Sequence, residues 1–244
     1  MDPALKVYGE RNSGTRYLER LVAANLRVQL LRGEAPRFVT WLGPDSEAMR
    51  DRYFRLTVRR NLGWKHRLPP DAAELAGPGS SGRTARFLTL VKNPYSWVLS
   101  MLRRPYSAAR SYASLEELVT SPWTTVGREC APAQFPDAVA MWNAKAAANL
   151  ALPAGRTANL RYEDLIADPG GRIDALARDL GLGRRSETFW NEQSSTKRSA
   201  QTFDDYRSYY LEGRWREKLS DGEVGLISAR LDPAVMSAYG YEIL

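Results

Sequence analysis

Short apolar or β-branched runs bounded by turn residues predict strands at Leu5–Tyr8, Arg37–Leu42, Arg55–Val58, Phe87–Val91 and Thr157–Arg161. Between them, apolar residues recur at steps of three and four, the spacing of a helix face. Leu18, Leu21, Val22 and Leu26 form one such stripe, and Phe135, Val139, Trp142, Ala146 and Leu150 form a second. Ile173, Leu176, Ala177 and Leu180 form a third, closed by Gly181 as a C′ glycine. Asp221 is read as the N-cap of a further helix running through Leu231. This alternation predicts an α/β fold, a three-layer sandwich whose mainly parallel central sheet carries helices on both faces. The stretch Gly77-Pro78-Gly79-Ser80-Ser81-Gly82 reads as a surface loop, and no repeat or long linker divides the chain. Residues 1–244 are therefore expected to form a single domain.

Composition narrows the chemistry. Of the 244 residues, 43% are hydrophobic and 26% charged, the balance of a globular protein rather than a disordered one. One cysteine, Cys130, excludes an intrachain disulfide, and with a single histidine it leaves no ligand set for zinc. Hence no metal site is expected. No apolar run is long enough for a bilayer span, and Met1-Asp2-Pro3 leads straight into a strand, so the expected location is cytoplasmic. The net charge of +7 suits an anionic ligand. The basic residues are scattered, with short groups at Arg59-Arg60, Arg103-Arg104 and Arg184-Arg185 that read as solvated surface, so nucleic acid is not the expected partner.

The segment Gly9-Glu10-Arg11-Asn12-Ser13-Gly14-Thr15-Arg16 lies between the first strand and the first helix. It has the two-glycine spacing of a phosphate-binding loop, but Thr15 stands where a Walker A loop carries lysine. Strand, glycine loop and helix in that order aim backbone N–H groups and a helix dipole at an anion. The missing lysine argues against an ordinary ATPase or GTPase. A second element follows the strand Phe87–Val91: Lys92-Asn93-Pro94, with Ser100 eight residues after the lysine. Pro94 suits the first position of a helix. A lysine and a hydroxyl at the mouth of a sheet can bind a second phosphate.

These residues resemble the sulfotransferases that use 3′-phosphoadenosine-5′-phosphosulfate. That family's first loop, Lys-Ser-Gly-Thr-Thr-Trp, is matched by Asn12-Ser13-Gly14-Thr15-Arg16-Tyr17, and its Arg-Asn-Pro with a later Ser by Lys92-Asn93-Pro94 with Ser100. Lys65-His66-Arg67-Leu68-Pro69 is similar to Lys-Thr-His-Leu-Pro of the cytosolic enzymes, and Tyr162-Glu163-Asp164-Leu165 to the family's Tyr-Glu-Asp-Leu. Order and separation agree from about residue 5 to residue 165. Gly213-Arg214-Trp215-Arg216 is similar to the family's Gly-Asp-Trp-Lys. Three departures stand out: the loop lysine is Asn12, the 3′-phosphate arginine is Lys92, and the histidine falls one position early.

The resemblance implies a sulfuryl transfer to a hydroxyl or amine of a small-molecule or glycan acceptor, releasing adenosine 3′,5′-bisphosphate (PAP) without a metal. It implies that Arg11, Asn12, Ser13, Gly14, Thr15, Arg16 and Tyr17 surround the 5′-phosphosulfate and adenine, with Tyr17 as the stacking ring. It further implies Lys92 and Ser100 at the 3′-phosphate, Tyr162 and Phe203 at the base, and Arg207 and Arg214 in a basic loop over the 3′-phosphate. Lys65 is the first candidate for the cation that Asn12 cannot supply, and Arg11 the second. His66 is the candidate general base, with an acid such as Glu10 as the alternative. The segments Trp41–Arg52 and Tyr106–Trp123 are expected to bind the acceptor or cover it. A small-molecule kinase and a catalytically dead nucleotide-binding protein remain as alternatives.

Overall fold

A computed structural model of the chain describes residues 2–41, 43, 45–105, 111–193 and 202–244. Strand β1 (Ala4–Gly9) leads through the glycine loop into helix α1 (Thr15–Asn25), followed by the short strands β2 (Leu26–Arg27) and β3 (Gln29–Leu30). Helices α2 (Ser46–Asn61) and α3 (Ala72–Ala76) precede β4 (Arg86–Val91) and α4 (Pro94–Arg103). Then come α5 (Leu115–Thr120), the hairpin-like pair β5 (Trp123–Thr124) and β6 (Gln134–Phe135), and α6 (Ala138–Leu150). The chain closes with β7 (Thr157–Arg161), α7 (Tyr162–Ala167), α8 (Pro169–Asp179), β8 (Gly183–Arg184), α9 (Phe203–Leu211), α10 (Asp221–Ser228) and α11 (Pro233–Ala238).

The central sheet has the order β3-β1-β4-β7 and all its pairings are parallel. Its strands bury both faces. Leu5, Val7, Leu88 and Leu90 join the larger apolar core with Leu18, Leu21 and Val22 of α1, whereas Tyr8 and Phe87 face a smaller cluster with Leu62, Leu75 and Leu152. Successive side chains of a strand point to opposite faces, so helices must cover both. From β1 the chain goes to β3 on one side and later to β4 on the other. The crevice beyond the carboxyl ends of β1 and β4 is thus the switch point where ligands of such sheets bind.

Two expected strands are helical. Arg37–Trp41 is a 3₁₀ turn, and Arg55–Val58 lies inside α2. The Asp45 carboxylate accepts from the N–H groups of Glu47 and Ala48 at 2.9 and 3.0 Å, and this cap starts a helix that overrides the strand preference of a four-residue run. The fourth strand of the sheet is instead Gln29–Leu30, too short to show a period. The last predicted helix is capped by Ser220 rather than Asp221, in a reciprocal capping box with Glu223, and ends at Ser228. Phe135 precedes its helix, which Asp137 caps, and Gly181 takes the left-handed φ of 58° expected of a C′ residue. Among the described residues, no helix is long and apolar enough to cross a membrane.

Candidate functional site

Gly14 precedes α1 at φ 91°, and no side chain caps the helix, so the first-turn N–H groups open into the crevice. A Cβ on Gly14 would stand 2.6 Å from the Tyr162 ring, so both backbone conformation and space require glycine there. Gly9 is constrained by space alone: its Cβ would meet the Leu90 carbonyl oxygen at 2.5 Å. The Ser13 N–H turns back to the Glu10 carbonyl at 3.2 Å, and the buried Trp97 indole donates to the Arg11 carbonyl at 2.8 Å. Asn12, at φ 62°, directs its amide to the carbonyls of Ser100 (3.3 Å) and Arg104 (3.1 Å). Where the resembling family has a cation, this chain therefore has a cross-link between the loop and the end of α4.

The second element is built by the start of α4. Asn93 caps the helix through its side chain, Pro94 takes the first turn, and the Asn93 N–H donates to Glu163 at 3.0 Å. The buried Lys92 ammonium donates to Ser100 Oγ at 2.8 Å and to the Tyr210 hydroxyl of α9 at 2.7 Å. Burial pushes Lys92 down to about 7; Glu163 opposes that fall and Arg103 adds to it.

Lys65 and His66 lie between these elements. The Lys65 ammonium bridges Glu19 at 2.7 Å and Glu34 at 2.6 Å. Burial alone would raise the Glu34 carboxyl, but Lys65 and then Arg16 outweigh it and bring it down to about 2. His66 is half-buried, with Nδ1 2.5 Å from the Gly9 carbonyl oxygen and its ring edge-on to Trp64. A carbonyl oxygen only accepts, so Nδ1 carries the hydrogen and Nε2 keeps its lone pair. Burial, followed by the Lys65 charge, holds the imidazole well below its usual range and therefore neutral at pH 7.

The cleft formed by these groups has a volume of about 1380 Å³. Ten Lys and Arg line it against four Asp and Glu, so the lining carries an excess of positive charge. It brings together Arg11, Asn12, Gly14, Thr15, Arg16, Tyr17, Lys65, His66, Lys92, Ser100, Tyr162, Phe203 and Arg214. Tyr17 and Phe203 form one aromatic wall, their centroids 5.9 Å apart, and the Tyr17 hydroxyl donates to Asn191. Arg214 is exposed and pairs with Glu212 at 2.7 Å. Ser13 is buried outside the lining, and Arg207 lies exposed beside the Ala167 carbonyl, also outside it. Arg11 reaches the lining, but its guanidinium binds Glu10 at 2.9 Å and Glu129 at 2.6 Å. Of the segments expected near the acceptor, Arg50 lines the cleft, and residues 106–110 lie outside the described residues.

Sequence reasoning missed several participants. Tyr210 lies in an aromatic-basic stretch with no motif to mark it, and Arg103 reads as solvated surface by its sequence although it follows Ser100 by one helical turn. Glu34 and Glu19 had no motif to mark them. Lys145 carried a signal: it follows Trp142 by three and adjoins Ala146 on the apolar stripe of α6, where a lysine needs buried partners.

Comparison with known proteins bears on the family and the fold. Residues 84–186 match the model of the Sulfotransferase family. That segment holds Lys92, Ser100 and Tyr162 but not the glycine loop. No curated protein matches the sequence. The sulfotransferase domain of the Synechococcus PCC 7002 olefin synthase matches in structure with a TM-score of 0.50 and 16% identity, over 100% of this chain and 96% of that one. This likeness is one of fold. The sulfotransferase domain of the curacin biosynthetic pathway matches at TM-score 0.46 and 14% identity, over 100% and 99% of the two chains. A sulfotransferase from Alicyclobacillus acidocaldarius matches at 0.45 and 17%, over 99% and 97%. Neither of these two adds to the fold assignment.

Proposed function

We propose that this chain, whose residues 84–186 match the model of the Sulfotransferase family, moves a sulfuryl group from 3′-phosphoadenosine-5′-phosphosulfate to a hydroxyl or amine of a small-molecule or glycan acceptor. One observation carries this reading. Two anion-binding elements, the uncapped N-terminus of α1 and the Lys92–Ser100 pair, stand at the carboxyl ends of adjacent strands and line one cationic cleft. A nucleotide with phosphates at both 5′ and 3′ positions can engage both, whereas ADP can engage only one. In this reading the N–H groups of Gly14, Thr15 and Arg16 and the Thr15 hydroxyl hold the 5′-phosphate. Lys92, Ser100 and the Tyr210 hydroxyl hold the 3′-phosphate. The adenine lies against the Tyr17–Phe203 wall with Tyr162 at its edge.

The transfer breaks the bond from sulfur to the bridging phosphate oxygen and forms one from sulfur to the acceptor atom. Lys65 offsets the negative charge that grows on the departing phosphate. It is preferred to Arg11, whose guanidinium is held by two buried carboxylates, whereas the two carboxylates that Lys65 bridges, Glu19 and Glu34, are the more exposed pair. His66 Nε2 takes the acceptor's proton, having the free lone pair that its Nδ1 contact with Gly9 leaves. Glu10 is unsuited to that role: Lys145 and Arg11 occupy its carboxylate and, against the effect of burial, hold it below the usual range. The chain is expected to work inside the cell, where the donor is made, and to need no metal.

Calorimetry with PAP, ADP and ATP tests the reading, followed by assay with the donor and a panel of acceptors. Tight binding of PAP, weak binding of ADP and turnover with at least one acceptor are expected. Equal affinity for PAP and ADP would overturn the assignment of Lys92 and Ser100. Phosphoryl transfer from ATP would replace the reading with the kinase.

A further inference from the structure

Behind the cleft lies a closed set of four buried charges that the chemistry above does not use. The Lys145 ammonium of α6 contacts the Glu10 carboxylate, Glu129 at 2.5 Å and the His66 carbonyl oxygen at 2.7 Å. Glu129 is fully buried and also accepts from Arg11 at 2.6 Å. The Arg11 backbone N–H and its guanidinium both donate to Glu10, at 2.6 and 2.9 Å. An ammonium has three hydrogens, and all three of Lys145's are spent here. One of them fixes the backbone of the residue whose side chain in turn holds Gly9, at the end of β1.

We propose that Lys145 and Glu129 are a positioning pair for His66: Lys145 clamps its backbone against the start of the glycine loop, and Glu129 holds Lys145 in register. The proposal rests on the reading of His66 as the base. Two cations balance two carboxylates, so the set adds little net field to the cleft, and its contribution is geometric. The charges facing His66 are Lys65 on its own segment, Arg11 of the loop and Lys145 of α6, with Glu10 and Glu129 behind the last two. Removing Lys145 leaves a net negative set, whereas neutralising Glu129 leaves a net positive one. The two changes must therefore move the imidazole in opposite directions. Nearby charge alone requires that opposition, so the ring tautomer is the readout that a role in stability alone would leave unchanged.

The chain has one histidine, so ¹⁵N resonances of its ring report on His66 without assignment ambiguity. In the full chain the Nδ1–H tautomer is expected to dominate at pH 7. Lys145→Met should mix the tautomers and raise the pH at which the ring titrates, and should lower kcat by about tenfold to a hundredfold through misplacement. Its effect on PAP affinity should be under about threefold, since Lys145 touches no phosphate-binding group. Glu129→Gln, the milder change, should move the titration downward. The double variant Lys145→Met/Glu129→Met keeps the remaining Glu10–Arg11 pair balanced and the site packed, which guards against loss of folding. It should mix the tautomers with little displacement of the titration. Shifts in the same direction for both single variants, or an unchanged tautomer in Lys145→Met and the double variant, would overturn the proposal. His66→Gln separates the two readings: full kcat there refutes the base, while the ring signals of the other variants still decide the positioning.

Discussion

Binding of PAP should take up a proton through Lys92. The ammonium is buried, and in the ligand-free protein burial lowers it to about 7. A phosphate dianion placed against Lys92 and Ser100 needs the charged form, so the complex restores the proton. Above pH 7 the charged fraction, and with it the affinity, should fall by about tenfold per pH unit, so at pH 9 binding is weaker by roughly 100-fold, about 2.7 kcal/mol. Below pH 7 the dependence should flatten and then reverse as the phosphate itself takes a proton near pH ~6. The sign for stability is opposite. Between about 7 and 10.5 an unfolded Lys92 holds more protons than the folded one, so the ligand-free protein gains stability as pH rises through that window. Lys6, also lowered to about 7 by burial, shares this stability effect, but it is outside the cleft lining and should not enter the binding slope. Isothermal titration at pH 8 in buffers of different ionisation enthalpy should give about 0.9 proton taken up per PAP bound. Lys92→Met should bind weakly and lose the slope. A zero uptake in the wild-type chain, or the same uptake in Lys92→Met, would refute the reasoning.

Three other outcomes are expected. Lys65→Ala should lower kcat by roughly two to three orders of magnitude with little change in donor affinity; His66→Ala should cost about 10²–10⁴ with an alcohol acceptor and less with an acidic phenol. Equal losses for both variants across acceptors of graded acidity, measured by initial rates, would show the roles to be misassigned. Gly14→Ala should abolish PAP binding in calorimetry and lower stability in urea unfolding by about 1–3 kcal/mol, because of the left-handed backbone and the Tyr162 contact; native-like affinity would exclude a role for that turn. Turnover should survive EDTA, since lysines and arginines supply the charge in the cleft; loss restored by Mg²⁺ would favour the kinase.

Local chemistry was enough to expose much of the site. The order of strand, glycine loop and helix, the Lys92-Asn93-Pro94 turn and the Tyr162 segment all follow from short-range rules, because turns and helix starts are set by residues a few positions apart. Each of those segments faces the cleft. The same local reading failed for Arg55–Val58, where a distant cap at Asp45 decided for helix, and for β3, whose two residues become a strand only by pairing with β1. Partner identity was beyond its reach. That Arg11 spends its charge on Glu129, that Lys65 is shared between Glu19 and Glu34, and that Tyr210 meets Lys92 are contacts across 118, 46, 31 and 118 residues. Residue order along the chain sets which side-chain types arrive at the carboxyl edge of the sheet. Which of those cations are already neutralised, and which line the cleft with weaker partners, is settled by folding, because a charge's availability depends on the burial and partners that the fold gives it.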